Sequence, residues 1–501
     1  MSPPNPTPQD ASLTLSRRQM LVRLSALGLT VALGATVSGC GGPTVSIDPQ
    51  RIVKEVLGQA QQATGSAPVP KLLRWITPIQ SLRPPATDSG TPATGATPTR
   101  VPSPTPGTAT LRDQGWAAML NAWQDANPTI TLVHQVVSDE RLSEAQIATA
   151  ASNEPCDLAY TDSGQTLGTA GVLDPLDVSA LVRKIPPVAF EPHSAADQIY
   201  ALPVFLTTLG LFLNNSRLKA GGVDPSQPPR DWSTFESIAR ALTNRSASLF
   251  GTDVFGNGSP MSGQMRYGPF LWSAGGSFYN NAGDTALWND RTGLDALIYL
   301  ARLSQNYSSP DSAVATDQTL VQNWLVGRTA TLLAGPELTS DADAHGIDYS
   351  VQSIPAFIQG QASSIVMSAG GIGVFARSKH KDWALDLARY LAGKDAQLAG
   401  LTKLRLLPAN LDAGDAAPVF QKNVMLAQFL RILREDDVHS FPMPRSHASE
   451  IAEIFRAYLG VALQGRATPL VAWNKSAAEA TALLKALPTP TAAPRGSPTA
   501  G

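Results

Sequence analysis

Five short junctions in the sequence combine strand-like runs with small, hydroxyl, amide or aromatic side chains. Glycine lets a backbone approach a ligand closely, hydroxyl and amide groups bond to its polar edge, and an indole covers its apolar face. This combination is typical of a site that holds a polar, uncharged ligand. The junctions are "YTDSGQ" (160–165), "FLTTLG" (205–210), "LWSAGGSFYNN" (271–281), "LLAGPE" (332–337) and "SAGGIG" (368–373).

The residue patterns of common catalytic sites are missing from the sequence. It contains no G-x-S-x-G nucleophile elbow, no H-E-x-x-H zinc motif and no paired cysteine ligands. The closest histidines, His439 and His447, do not have the spacing of metal ligands on a helix. We therefore expect no metal and no cofactor, and we interpret each histidine as a surface or core residue. Cys156 is expected to be a small buried hydrophobe.

The composition describes a large globular protein with a nearly balanced charge. The chain has 501 residues, of which 43% are hydrophobic, and a formal net charge of −2. This length suggests two or three domain-sized units. Because the charge balance is not basic, we expect no nucleic-acid partner.

The N-terminus has the features of an export signal. Two arginines, Arg17–Arg18, precede an apolar run, Leu24–Val37, that is followed by "SGC" ending at Cys40. The run is shorter than the roughly 20 residues that a membrane-spanning helix needs. Small residues before a cysteine are typical of a lipobox, in which the thiol receives a lipid. We expect residues 1–40 to be a twin-arginine-like lipoprotein signal peptide. The alternatives are an uncleaved membrane helix and, for the export route, an ordinary secretory signal that happens to contain two adjacent arginines.

Strand-like and helix-like segments alternate after residue 70. "KLLRWI", "ITLVHQVV" and "CDLAYTD" are typical of strands, and an apolar stripe with helical spacing lies between the first two. The stripe consists of Trp116, Met119, Leu120 and Trp123. This alternation predicts an α/β fold in which helices cover a mostly parallel sheet.

A tract rich in proline, threonine, glycine and alanine, residues 83–110, interrupts this alternation. Its composition cannot bury enough apolar surface to fold. We interpret it as a disordered insertion after the first strand, with residues 41–70 as the flexible spacer. The alternative is that the tract belongs to a stalk and that the domain begins at Leu111.

The order of six motifs resembles that of the extracellular solute-binding proteins (family 1) of carbohydrate ABC transporters, the group that includes maltose-binding protein. The motifs are "GVLDPLD" at 171, "ALPVFLTTLGLFLNNSRLKAGGVDP" at 201, "DWSTFESIARALT" at 231, "WSAGGSFYNN" at 272, "SAGGIGVFARSKHKDWALDLARYLAG" at 368 and "LLPA" at 406. The resemblance covers roughly residues 71–487.

This resemblance implies a two-lobed fold of the periplasmic-binding-protein type II, with the ligand in a cleft between the lobes. It places the N-terminal lobe at 71–207 and 371–409, the C-terminal lobe at 208–370 and 410–487, and a disordered tail at 488–501.

The resemblance also implies a function. Its members deliver a ligand to membrane permease subunits and are not enzymes, so we expect a monomeric, sugar-binding component of an ABC importer. We expect it to be anchored at the extracytoplasmic face of the cell membrane through a lipid on Cys40. The alternatives are an exported polysaccharide-acting enzyme and a ligand sensor on the same fold. A polar solute other than a sugar also stays possible, because few acidic contacts can be placed.

Carried over position by position, the resemblance implies a set of ligand contacts. Each has a structural alternative: the residues after "CDLAYT" can cap a helix, a Thr pair can reflect strand propensity, and Trp272 can be a core residue. The expected contacts are Trp75, Asp162, Ser163, Gln165, Thr207, Thr208, Trp272, Gly275, Gly276, Gly335, Glu337, Gly370 and Gly371.

Overall fold

The computed structural model describes residues 71–77, 111–137, 142–152, 155–181, 183–253, 260–404, 407–441, 444 and 447–486. The predicted signal peptide with Cys40, the spacer, the tract 83–110 and the tail 488–501 lie outside the described residues. Within the described ranges, none of the helices combines the length and the apolar character that crossing a bilayer requires.

Strands and helices alternate along most of the chain. The strands are β1 (Lys71–Thr77), β2 (Ile130–Val136), β3 (Leu158–Thr161), β4 (Ser194–Ala195), β5 (Gln198–Ile199), β6 (Leu202–Thr208), β7 (Gly210–Asn214), β8 (Phe250–Asp253), β9 (Thr329–Ala334), β10 (Tyr349–Gln352), β11 (Ser364–Val374), β12 (Leu407–Pro408) and β13 (Asp437–Ser440).

The α-helices are α1 (Leu111–Ala126), α2 (Leu142–Ala150), α3 (Gly164–Thr169), α4 (Asn215–Ala220), α5 (Trp232–Ala241), α6 (Pro260–Ser273), α7 (Arg291–Tyr307), α8 (Asp317–Leu325), α9 (Leu338–Ala344), α10 (Lys381–Ala392), α11 (Lys394–Leu404), α12 (Leu411–Ala416), α13 (Pro418–Lys422), α14 (Val424–Glu435), α15 (Ala448–Leu463) and α16 (Pro469–Lys485). A 3₁₀ segment, Pro187–His193, precedes β4.

The larger sheet organises what we call the first lobe. Within the described ranges its strand order is β12-β6-β11-β3-β1-β2, and β13 pairs with the beginning of β11. β1 lies between β2 and β3 and is parallel to both. Leu73, Trp75 and Ile76 of β1 have no exposed surface. A strand buried on both faces needs a nearly continuous apolar sequence, which "LLRWI" largely supplies.

The smaller sheet organises the second lobe. Its strand order is β10-β7-β9-β8, and every residue of β7 and β9 is buried. α6, α7, α15 and α16 pack against one another, around an aromatic core that contains Tyr267, Phe455 and Trp473. The chain therefore contains two α/β units, each organised by its own sheet.

The chain passes between the sheets at places that differ in part from the predicted boundaries. Only Leu209 separates β6 of the first sheet from β7 of the second. The chain returns to the first sheet by Ser364, where β11 begins to pair with β13. The predicted lobe boundary was at residue 371. The chain stays paired with β6 across Gly370. Gly370 and Gly371, on either side of the predicted boundary, instead lie within β11, where the side chains of Tyr160 and His193 leave no room for a Cβ.

The last passage also differs from the prediction of a single boundary at 410. α14 packs against β10 of the second sheet, and β13 then pairs in parallel with β11 of the first. The chain leaves for the second lobe only between Ser440 and Ala448, because α15 packs against α6 and α7.

Cys156 lies in the core, as predicted. It is a free cysteine with 3% of its surface exposed. Burial raises the pKa of its thiol to about 11, so the group is an inert thiol at neutral pH.

Candidate functional site

The strand ends of the two sheets define where a ligand can bind. In the first sheet, Thr161 at the carboxyl end of β3 pairs with Gly371, and Thr207 near the end of β6 pairs with Ser368. In the second sheet, Ala334 at the carboxyl end of β9 pairs with Gly210, next to the β6–β7 crossing. Open α/β sheets bind ligands outside the carboxyl ends of their strands. Both lobes therefore present such ends near the crossing strands.

A cavity of about 300 Å³ lies between elements of the two lobes. The 3₁₀ segment and β13 form its first-lobe wall, and the end of α6 with the following loop forms its second-lobe wall. Its volume is at the lower end of the range for ligand pockets. The lining residues are Glu191, Trp272, Ser277, Phe278, Tyr279, Val438, His439 and Ser440.

Trp272 is the predicted contact that borders this cavity. It is half-buried at the end of α6 and packs against Phe278 of the second-lobe core, with the ring centroids 5.5 Å apart. Its indole is also stacked on the imidazole of His439, at 4.4 Å between centroids and 5° between planes. Trp272 is thus an aromatic surface at the boundary between the lobes.

Polar groups surround the indole. The Ser440 hydroxyl donates a hydrogen bond to the Glu191 carboxylate. Nε2 of His439 lies 2.8 Å from the carboxylate of Asp437. Tyr279 also lines the cavity, but its hydroxyl oxygen is buried, and this burial raises the pKa of the hydroxyl far above its usual range. An aromatic face beside hydroxyl and carboxylate groups suits a hydroxylated ligand.

The predicted contacts after β3 lie in a tightly bonded loop. The Ser163 N–H donates to Oγ1 of Thr161 at 3.0 Å, and the Ser163 hydroxyl lies 2.8 Å from that of Thr166. Ser163 occupies the N-cap position of α3, but its side chain accepts no backbone N–H there. Asp162 is exposed and Gln165 is half-buried. The loop is therefore ordered in part by hydrogen bonds among Thr161, Ser163 and Thr166.

His193 ties this loop to the cavity wall. The Gly164 N–H donates to Nδ1 of His193 at 3.1 Å, and Nε2 lies 3.1 Å from the Ala369 carbonyl oxygen. A carbonyl only accepts, so Nε2 carries the proton and Nδ1 is the acceptor. Burial lowers the pKa of His193 to about 4, which keeps the ring neutral at pH 7. The ring thus holds the loop against the segment that carries Glu191.

Gly275 and Gly276 have a local role at the end of α6. The Gly275 N–H donates to the Trp272 carbonyl at 2.8 Å, and the Gly276 N–H donates to the Leu271 carbonyl at 2.9 Å. Gly275 has a φ of +86°. These features define a Schellman motif, in which a left-handed glycine ends the helix. The pair therefore fixes where the helix stops beside the cavity.

Gly335 and Glu337 lie at the carboxyl end of β9. Glu337 is exposed as a residue, yet its carboxylate folds back over the buried Gly335. Desolvation raises the pKa of Glu337, and the charge of Arg266 opposes that rise. The exposed surface of Glu337 therefore belongs to the rest of the residue and not to its side-chain carboxylate. Arg266 is buried and lies 3.0 Å from the carboxylate of Asp317.

Several predicted contacts lie in the protein core. Trp75 has no exposed surface and packs edge-on against Trp116, at 5.4 Å between ring centroids. Thr208 is also fully buried, whereas Thr207 is half-buried. A Cβ at Gly370 would meet the ring of Tyr160, and one at Gly371 would meet His193. The structure does not bring Trp75, Thr208 or these glycines to the cavity, because their environment is already filled by protein atoms.

Trp272 is the one lining residue among the predicted contacts, and Ser277, Phe278 and Tyr279 lie within the predicted junction 271–281. The lining residues outside every predicted junction are Glu191, Val438, His439 and Ser440. No local sequence pattern marks His439 and Ser440, because they reach the cavity only through the pairing of β13 with β11. Among the described residues, no group of three histidine, cysteine or acidic side chains is arranged to hold a metal ion.

Comparison with known proteins supplies a family and a fold. The model of the family "Bacterial extracellular solute-binding protein" matches residues 108–398. The chain is similar to the GacH receptor of Streptomyces glaucescens, solved unliganded and with acarbose, at 18% identity and a TM-score of 0.64. The match covers 84% of this chain and 100% of that one.

Two further solved structures have the same fold. One is the cyclic alpha-maltosyl-1,6-maltose binding protein from Arthrobacter globiformis, at 16% identity and a TM-score of 0.66, covering 83% of this chain and 99% of that one. The other is UgpB from Mycobacterium tuberculosis in complex with glycerophosphocholine, at 15% identity and a TM-score of 0.64, covering 74% and 95%. At these identities the likeness establishes the two-lobed fold.

Proposed function

Because this chain belongs to the bacterial extracellular solute-binding protein family, we propose that it binds a sugar or oligosaccharide between its lobes and delivers it to the permease of an ABC importer. Family membership also means that the protein is exported and is a binding protein, not an enzyme. The saccharide, the permease partner and the membrane anchor belong to the proposal.

The observation that carries the proposal is the environment of Trp272. Its indole borders a cavity that is also lined by Glu191 and Ser440 of the first lobe and by Ser277 of the second. A sugar ring has an apolar C–H face and a rim of hydroxyls, so an aromatic surface with hydroxyl and carboxylate groups around it complements both. Two of the structurally similar proteins have names or bound ligands of saccharide type, which supports the same ligand class.

The arrangement of the walls suggests how binding becomes a signal. Trp272 belongs to the second lobe, whereas Glu191 and Ser440 belong to the first. A ligand that contacts both walls favours the closed arrangement of the lobes by its differential affinity for that state. A permease that docks only on closed lobes then receives loaded protein. We propose that the protein acts as a monomer, held at the extracytoplasmic face of the membrane by a lipid on Cys40.

A ligand screen on the purified full chain tests the ligand class. Maltose, maltotriose and acarbose represent saccharides, and glycerophosphocholine represents a polar solute of another kind. We expect at least one saccharide to raise Tm and to decrease the radius of gyration in solution scattering, because ligand binding stabilises the closed form. A response to glycerophosphocholine alone would contradict the saccharide assignment. No response to any probe would contradict the proposed site.

The membrane anchor is tested separately in cells. Cys40→Ala removes the thiol that would carry the lipid, so the protein should move from the membrane fraction to the soluble exported fraction. Cys156→Ala is the matched control, because Cys156 is buried in the core. Membrane association that persists in Cys40→Ala would contradict the lipid anchor.

A further inference from the structure

Stacking between Trp272 and His439 joins the two lobes at the cavity. Trp272 is on α6 of the second lobe, and His439 is on β13, which pairs with the first sheet. Their rings are nearly parallel, with the centroids 4.4 Å apart. While this contact persists, one face of the indole is covered by protein.

The contact is not imposed by the local chain. The structure contains a second stack of the same kind, His380 on Trp383, at 4.7 Å and 6°. There the two residues are three positions apart at the start of α10, so the helix itself brings them together. The residues of the cavity stack come from different elements, and only the approach of the lobes brings their rings into contact.

The imidazole of His439 is free to rotate away from the indole of Trp272 without disturbing either core. About a third of its side chain is exposed, 32%, so the ring is not part of either core. It is held from its own strand by the carboxylate of Asp437, at 2.8 Å from Nε2, and Asp437 is itself largely exposed. Rotation of the imidazole away from the indole therefore opens no buried cavity.

An imidazole and a sugar ring use an indole face in the same way. Both are compact rings that can lie parallel to the indole and cover one of its faces. We propose that His439 occupies the ligand-stacking face of Trp272 and that a saccharide ring displaces it on binding. This inference rests on the proposed function, because it assumes that Trp272 contacts the ligand.

Displacement lowers the affinity for the ligand by the strength of the lost contact. Aromatic pairs of this geometry contribute enough that their loss changes an equilibrium roughly two- to tenfold. His439 thus sets a threshold: a ligand ring binds well only if its own stacking on Trp272 exceeds that of the imidazole.

Titration calorimetry on the full chain tests the displacement, with maltose, maltotriose and acarbose as probes. His439→Ala should lower Kd roughly two- to tenfold relative to the wild type. The same substitution in a Trp272→Ala background should give no gain, because no indole face is left to uncover. His380→Ala, which breaks the stack on α10, should leave Kd unchanged.

The outcomes separate the two proposals. If the wild type binds a probe and His439→Ala binds it equally or more weakly, displacement is wrong and the proposed function stands. A gain that persists in the Trp272→Ala background also overturns displacement, because it does not act through the indole. If neither the wild type nor His439→Ala binds any probe, both proposals fail.

Discussion

The tetrapeptide Ser-Ala-Gly-Gly occurs twice in this protein, at 273–276 and at 368–371, and folds differently in each place. The first copy ends helix α6 beside the cavity, with Gly275 in a left-handed conformation. The second copy lies inside strand β11, where Gly370 and Gly371 pack against Tyr160 and His193. Identical residues thus end one element and continue another.

The difference shows what a glycine signal can and cannot predict. At 275 the glycine is needed for its backbone angle, whereas at 371 it is needed because a side chain already fills the space of its Cβ. Both roles give the same local sequence, and neither role requires a bound ligand. The distinction depends on tertiary neighbours, and it can be tested at each copy by substitutions that separate backbone strain from crowding.

The largest expected effect concerns His193, which packs against the second copy. The pKa of a histidine near 6.5 in the unfolded chain is lowered to about 4 in the folded protein by burial. The unfolded state therefore binds more protons between these pH values, so stability is complete above pH 6.5 and decreases as the pH falls toward 4. The loss is on the order of 3 kcal/mol. His193→Asn should weaken this pH dependence of the free energy of unfolding.

The measurement is chemical denaturation of the wild type and the variant at several pH values. His134 is also buried with its pKa lowered to about 4, so the wild-type slope contains both groups and only the difference reports on His193. His345→Asn is the control, because it removes an imidazole that is exposed and not part of the core. An identical slope in His193→Asn would mean that the ring is not held neutral beside Gly371.

Crowding at the second copy should give the next largest effect. A Cβ at Gly371 would lie 2.9 Å from Nε2 of His193 and 3.1 Å from the Leu202 carbonyl oxygen. Gly371→Ala should therefore reduce the free energy of unfolding by about 2 kcal/mol, as overpacking does in a filled core. Ser368→Ala in the same strand should cost less than about 1 kcal/mol. Equal effects of the two substitutions, measured in denaturant, would remove crowding as the reason for this glycine.

The smallest effect is expected at the first copy. Gly275 has a φ of +86°, and a Cβ there would meet no atom within 4 Å. Gly275→Ala should cost about 1 kcal/mol through backbone strain alone, and Gly275→Asn should cost less because asparagine tolerates this conformation. Denaturant unfolding of both variants provides the measurement. If Asn were as costly as Ala, the left-handed backbone would not explain the glycine.

Much of the fold could be predicted from the sequence, because periodicity reports burial directly. The stripe that contains Trp116 and Trp123 predicts α1, and the apolar run before Thr77 predicts β1. Trp75 shows the limit of such reasoning. Its position within the first strand was predictable, but whether its indole points into the core or into a cleft depends on which helix covers that face of the sheet.

The candidate site was predictable only on its second-lobe side. Trp272 stands out because an indole precedes a glycine pair, and it borders the cavity. Glu191, His439 and Ser440 belong to a 3₁₀ segment and a short strand with no distinctive local pattern. They reach the cavity because β13 pairs with β11, a contact between distant parts of the chain that periodicity does not report.

The proposed function requires that a saccharide binds between the lobes on Trp272. Titration calorimetry of Trp272→Ala with the best saccharide probe tests it most directly, with Trp383→Ala as the matched control, because Trp383 is half-buried on α10 away from the cavity. Loss of a stacking surface should weaken binding by about 1–3 kcal/mol, or roughly 5- to 150-fold in Kd. If the ligand stacks on Trp272, Kd increases by this factor in Trp272→Ala and is unchanged in Trp383→Ala. An unchanged Kd for Trp272→Ala would contradict this stacking.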